Sequence, residues 1–420
     1  MPGTEYQPSF LGRISIRRNQ VVAMEGSHEQ ELEDLEIFQR NVADRFSDLL
    51  LCATHPPEGD ADAGELVPGS PAGEPLLSVS WLRKLVDVFL CCEAEFKAFL
   101  IMGRDPAHVA RPPLDRLVTE LLDRSVKLLD ICNAVSSGVD NARQCQKLAE
   151  MVVNALRQAP VGDGQVKRAR KALASLLIAL TLEEKEGTGS HSKATERAWS
   201  FGRRGNAHHK AGAGGVGPAG SFRSFTMVVA KNWSAAKQIQ AMCSNLVAPR
   251  GGGEMTGIAT PVYIMSVVMV FTMWALVAAV PCQERGGLAT HFQVPRQVAW
   301  AQGVVGLQEK IGEEWKRKEK KGTAGLMEEM QRLERLGQGL LEALGGAGEG
   351  AGGVKYPLEE DKEKEVAAMV AEMGEVCRRM EEGLMPLQLQ IREVFHRVVR
   401  SRTEMLDILD HAGKVSQPAN

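Results

Sequence analysis

Apolar residues recur every three or four positions over most of the chain, and each such run predicts an amphipathic helix. From His28 to Leu51, Leu32, Leu35, Phe38, Val42, Phe46 and Leu49 line one face. Ser80 can cap a second helix reaching about Met102, with Leu82, Leu85, Val86, Phe89, Phe96 and Phe99 inward. Pro112-Pro113 opens a third that ends near Ser136-Ser137-Gly138, and Ala142–Arg157 and Gln165–Glu186 continue the same period. Five antiparallel helices with short connections make a bundle, because each apolar stripe needs a neighbour to cover it. Helical spacing returns over Phe225–Val247, Pro295–Lys321, Leu326–Leu344, Leu358–Leu384 and Pro386 to about Ala412. No run alternates as a half-buried strand does. The predicted fold is an all-α, multi-helix bundle with long amphipathic helices, disordered Gly-rich linkers and one strongly hydrophobic helix.

That hydrophobic helix is Val262–Val280, nineteen residues without a charge. At 1.5 Å per residue it reaches about 28 Å, close to the ~30 Å of a bilayer's hydrocarbon layer. Two readings follow: a membrane anchor carried by Val262, Tyr263, Met265, Met269, Phe271, Met273, Trp274 and Val280, or a central helix buried on all sides. Met265, Met269 and Met273 share a stripe, so whether they meet lipid or other helices separates the two.

Composition changes the picture by region. Fifty basic against 53 acidic residues give a net charge of −3, which excludes a globally basic nucleic-acid binder. Neutrality is an average, because Gly187–Glu254 holds nine Lys and Arg against two Glu. The 42 glycines cluster in linkers such as Gly212–Gly220 and Gly345–Gly353. The organisation expected is a flexible N-terminus (1–27), an N-terminal helical bundle (28–186), a basic Gly-rich linker and helix (187–254), the hydrophobic helix (255–283) and a C-terminal helical region (284–420).

Little chemistry stands out. The eight cysteines include no C-x-x-C pair and read as reduced core residues, with neither a disulfide framework nor a metal site. Gly212, Gly214 and Gly217, and again Gly348, Gly350 and Gly353, match G-x-G-x-x-G, but neither follows a strand, so both are linkers. No phosphate-loop, zinc-protease or nucleophile-elbow pattern occurs, so no cofactor, catalytic residue or small-molecule substrate is expected. Two basic elements suggest contacts. Trp199, Phe201, Arg203, Arg204 and Lys210 combine aromatic rings with cations suited to an anionic membrane surface, the alternative being a solvated linker. Arg13, Arg17 and Arg18, followed by Leu32, Leu35 and Phe38, form a candidate docking element for a protein partner, the alternative for Phe10–Arg18 being a flexible start.

The opening SFLGRISIRRNQV (Ser9–Val21), followed by HEQELEDLEIFQRNVADRFSDLL (from His28), resembles the plant-specific ROH and BYPASS-related family, more closely its ROH branch. SVSWLRKLVDVFLCCEAEFKAFL (Ser78–Leu100), a helix over Asp115–Val135, a basic linker and one apolar segment follow in the same order. The resemblance implies a non-enzymatic helical adaptor, cytoplasmic and membrane-associated, that binds the seventy-kilodalton membrane-binding subunit of the exocyst. It would act in polarised secretion of cell-wall polysaccharide such as seed-coat mucilage. The BYPASS side implies an alternative, a developmental regulator restraining production of a root-derived mobile signal. The resemblance supplies no catalytic residues.

Overall fold

The structure is a computed structural model of the 420-residue chain. It describes residues 10–53, 74–101, 114–157, 162–181, 233–244, 246, 248, 259–282, 294, 298–319, 325–345 and 360–415, with side chains except at 10–28, 101, 181, 318–319 and 412–415. Residues 1–181 and 234–420 form one compact unit and 182–233 a second, of which Trp233 alone is described.

In chain order the first unit carries α1 (Phe10–Cys52), α2 (Val79–Ile101), α3 (Leu114–Leu156), α4 (Asp163–Thr181), α5 (Ala235–Cys243), α6 (Ala259–Ala279), α7 (Gln302–Glu319, after a 3₁₀ turn at Ala299–Ala301), α8 (Glu328–Ala343) and α9 (Glu360–Val415). There is no strand among the described residues, and the fold is an all-α multi-helix bundle.

Of the inward stripe read for the first helix, Leu35, Phe38, Val42, Phe46 and Leu49 are buried, while Leu32 at its start is exposed. Two long helices differ from the expected pairs. α3 runs unbroken through Ser136-Ser137-Gly138, because Val135, Val139, Ala142 and Cys145 carry the buried stripe across that point. A single glycine weakens a helix by about 1 kcal/mol but does not end one that packs on both sides. α9 runs unbroken through Pro386. Proline removes one backbone hydrogen bond, yet Leu384, Leu387, Ile391, Val394 and Val398 keep one buried face against α2 and α3.

Helix ends are closed by side chains from other helices, which ties each element to the tertiary fold. The Trp81 indole N–H donates to the Leu49 carbonyl at 3.1 Å, at the end of α1. Arg124, itself buried, donates from Nε to the Met242 carbonyl at 3.1 Å, at the end of α5. Arg170 donates to the Leu344 carbonyl beyond α8. Cations at helix C-termini also meet the negative end of the helix dipole.

The N-terminus of α2 is held differently. The buried Glu329 carboxylate on α8 accepts the Val79 N–H with both oxygens at 3.1 Å. The preceding Leu77 adopts φ 61°, a left-handed conformation unfavourable for a branched side chain. Its side chain is buried, and its carbonyl accepts from Glu328 N at 3.4 Å.

Candidate functional site

α6 is the one described helix long and apolar enough to cross a membrane. It lies inside the bundle, buried at every position except Thr260 and Val277, and contacts α1, α2, α3, α5 and α7. The Phe271 ring meets Phe46 edge-on, centroids 5.5 Å apart, and Tyr263 meets Trp300 similarly at 6.2 Å. Ser266 donates its hydroxyl to the Val262 carbonyl at 2.8 Å, so that polar group is satisfied within the helix.

The C-terminal end of α6 fits a slot made by two glycines. A β-carbon at Gly138 of α3 would stand 2.9 Å from the Pro281 carbonyl oxygen and closer still to Val280. One at Gly325 would stand 2.6 Å from the Ala279 carbonyl oxygen. Leu326 N and Met327 N donate to the carbonyls of Ala278 and Ala279 at 2.9 and 3.0 Å. The last carbonyls of α6 are thereby satisfied by protein, which is what burial of a helix end requires.

Nearer its start, α6 borders a cavity of about 70 Å³ shared with α2, α3 and the C-terminal half of α9. Met265 and Met269 enter it from α6, facing Phe96 and Leu100 of α2 and Met405 of α9. Flexible thioethers suit such irregular space. Its polar residues join the surrounding helices: Ser401 donates to Glu93, Lys97 pairs with Glu404, and Arg402 donates to the Leu122 carbonyl. The Ser125 hydroxyl is committed to the Leu121 carbonyl at 2.9 Å. This arrangement can hold a small apolar group. Its hydroxyls are engaged, and no imidazole lines it to activate them.

Six of the eight thiols are held in the protonated form. Burial pushes Cys92, Cys132, Cys282 and Cys377 up to about 12, and Cys145 and Cys243 up to about 11, so each stays protonated near neutrality. No cluster of potential metal ligands occurs among the described residues.

The eight anchor candidates, Val262, Tyr263, Met265, Met269, Phe271, Met273, Trp274 and Val280, are each at most 6% exposed and share the bundle core. Of the docking set, Leu35 and Phe38 are also buried in the core and unavailable to a partner, because they lie on the inward stripe of α1. Leu32 is 39% exposed. Arg13, Arg17 and Arg18 lie on the α1 backbone, their side chains outside the described set, and Trp199, Phe201, Arg203, Arg204 and Lys210 lie outside the described residues altogether. Sequence reasoning missed Gly138, Gly325 and Glu329, whose roles depend on partners far along the chain. It also missed the pair that joins α1 to α2. There the Arg45 guanidinium grips both Glu95 oxygens, Asn41 adds a bond at 3.2 Å, and the carboxyl is held below its ordinary value.

Comparison with known proteins fixes the family. The family model described as Protein ROH1-like matches residues 1–409. The chain belongs to the ROH1-like family. Protein ROH1A of Arabidopsis thaliana is 56% identical over 425 residues, covering 99% of each chain. Protein ROH1D of the same plant is 40% identical over 426 residues, covering 97% of this chain and 98% of the relative. No solved structure matches. The ROH1-like match takes in α1 through all but the last residues of α9, so both the slot around α6 and the cavity beside it fall within the family region.

Proposed function

We propose that this ROH1-like protein is a non-enzymatic adaptor in polarised secretion of cell-wall polysaccharide, seed-coat mucilage among it. Its partner in this reading is the seventy-kilodalton membrane-binding subunit of the exocyst. The observation that carries the reading is the family match across residues 1–409. The site chemistry supports it, since the cavity walls are mostly apolar, the serines are engaged and the buried thiols are held protonated.

In the same reading the protein is cytoplasmic and reaches the membrane peripherally. α6 is then the core helix that organises the bundle, and withdrawing it into lipid would strip α1, α2, α3, α5 and α7 of their shared apolar contact. Membrane contact falls to the partner or to the basic segment with Trp199, Phe201, Arg203, Arg204 and Lys210, whose cations suit anionic lipid. Affinity purification of the tagged full-length chain from plant membranes is expected to recover exocyst subunits, the seventy-kilodalton subunit foremost. Recovery of none of them would remove the adaptor role.

A further inference from the structure

The two halves of α9 present different faces to solvent. Over its first half the exposed positions are charged residues and alanines, and several of the charges pair with one another. Lys364 pairs with Glu360, Arg378 with both Glu375 and Glu382, and Arg379 with Glu375. Such a face is at home in water. From Met385 onward the pattern changes. Met385 is 51% exposed, Leu389 54%, Val399 39% and Leu406 44%. With Arg392, His396 and Thr403, also exposed, they follow one another at close to 3.6 residues and form a single outward stripe. The stripe spans about 32 Å of helix. Exposed apolar side chains scattered singly need no explanation, but four aligned on one helix face mark a contact surface.

We propose that the outer face of α9 from Met385 to Leu406 docks an acidic amphipathic α-helix of a partner protein. A straight stripe of this length fits a helix laid along it, ridges entering grooves. Charge selects the occupant. Arg392 and Arg400 are exposed in the middle of the face and make no ion pair with a described residue, whereas the neighbouring Arg397 is paired with Glu393 at 2.7 Å. Carboxylates flanking the apolar edge of an incoming helix would complete the two open cations.

The same charges disfavour a second copy of the chain. A second copy would bring two more unpaired arginines to the face, while Glu393 is already held by Arg397. The proposal rests on the adaptor role above and assigns that role a surface.

The test places a photoreactive benzoylphenylalanine at Leu389, and separately at Leu406, in the full-length protein in plant cells, with Glu382 in the charged half as the control position. Irradiation followed by sequencing of the joined peptides is expected to find an acidic amphipathic helical segment of another protein at both stripe positions. In the Arg392→Glu, Arg400→Glu background the yield should fall at least tenfold. Adducts to lipid, to a second copy or to a non-acidic segment would overturn the proposal, as would a yield no higher than at Glu382 or one unmoved by the charge reversal. Recovery of exocyst subunits alongside an absence of stripe adducts would remove this surface and leave the adaptor role standing.

Discussion

Gly138→Val is expected to destabilise the protein by about 3 kcal/mol, read as a lower denaturant midpoint at unchanged slope. The substituted side chain would have to occupy the space already filled by Val280 and by the Pro281 carbonyl oxygen, 2.9 Å from where the β-carbon must lie. Backbone cannot rotate away as a flexible side chain can, so α3 and the end of α6 would have to separate. That separation also breaks the bonds from Leu326 N and Met327 N to Ala278 and Ala279, leaving carbonyls exposed to an apolar interior. Gly164 in α4 is the control, with nothing within 4 Å of a β-carbon there. Gly164→Ala should be neutral or stabilise by about 0.5–1 kcal/mol through helix propensity. A Gly138→Val protein as stable as the parent would mean that Val280 and Pro281 are elsewhere, as they would be if α6 left the bundle.

Glu329→Gln should raise stability at pH 8 by an amount on the order of 3 kcal/mol while leaving it nearly unchanged at pH 4. Burial pushes the Glu329 carboxyl up from its ordinary 4.5 to about 7, with Glu328 beside it adding to the rise and the Val79 N–H and Arg379 opposing it. The folded protein therefore binds a proton more tightly than the unfolded chain. The stability this supplies is complete below about pH 4.5 and is lost as the pH rises through about 7. The interval between the two values corresponds to about 3 kcal/mol. Glutamine keeps an acceptor for Val79 and never ionises, so its stability should lack this fall. Glu95 acts in the opposite sense, because Arg45 holds it below its ordinary value and its contribution is lost on acidification. It is common to both proteins and cancels in their difference. Parallel denaturation curves of the two proteins from pH 4 to 8 give the measurement, and a constant difference across that range would show that Glu329 does not titrate in the folded state.

The helical period alone made the bundle legible, because each buried stripe is local: Leu35 to Leu49 on α1 and Leu326 to Leu344 around α8 repeat within a few turns. The breaks were misread for the same reason. Ser136-Ser137-Gly138 and Pro386 look like helix ends when only neighbours in sequence are considered. In the folded chain Gly138 makes room for Val280, and Pro386 sits in a helix whose inward face continues on both sides. Glu329 is illegible from sequence because an acid in the first turn of a helix is ordinarily solvated. Its partner Val79 lies 250 positions away. The apolar run Val262–Val280 was ambiguous in principle, since a membrane span and a central helix have one composition. What separates them is the surroundings, supplied by five other helices and a two-glycine slot.

With α6 buried, the proposal makes any membrane association peripheral, and alkaline carbonate extraction of membranes from cells carrying the full-length chain tests this most directly. With α6 at the centre of the bundle, the protein is expected in the supernatant with peripheral proteins. Retention in the lipid pellet to the extent of an integral marker, abolished when Val262–Val280 is deleted, would contradict it.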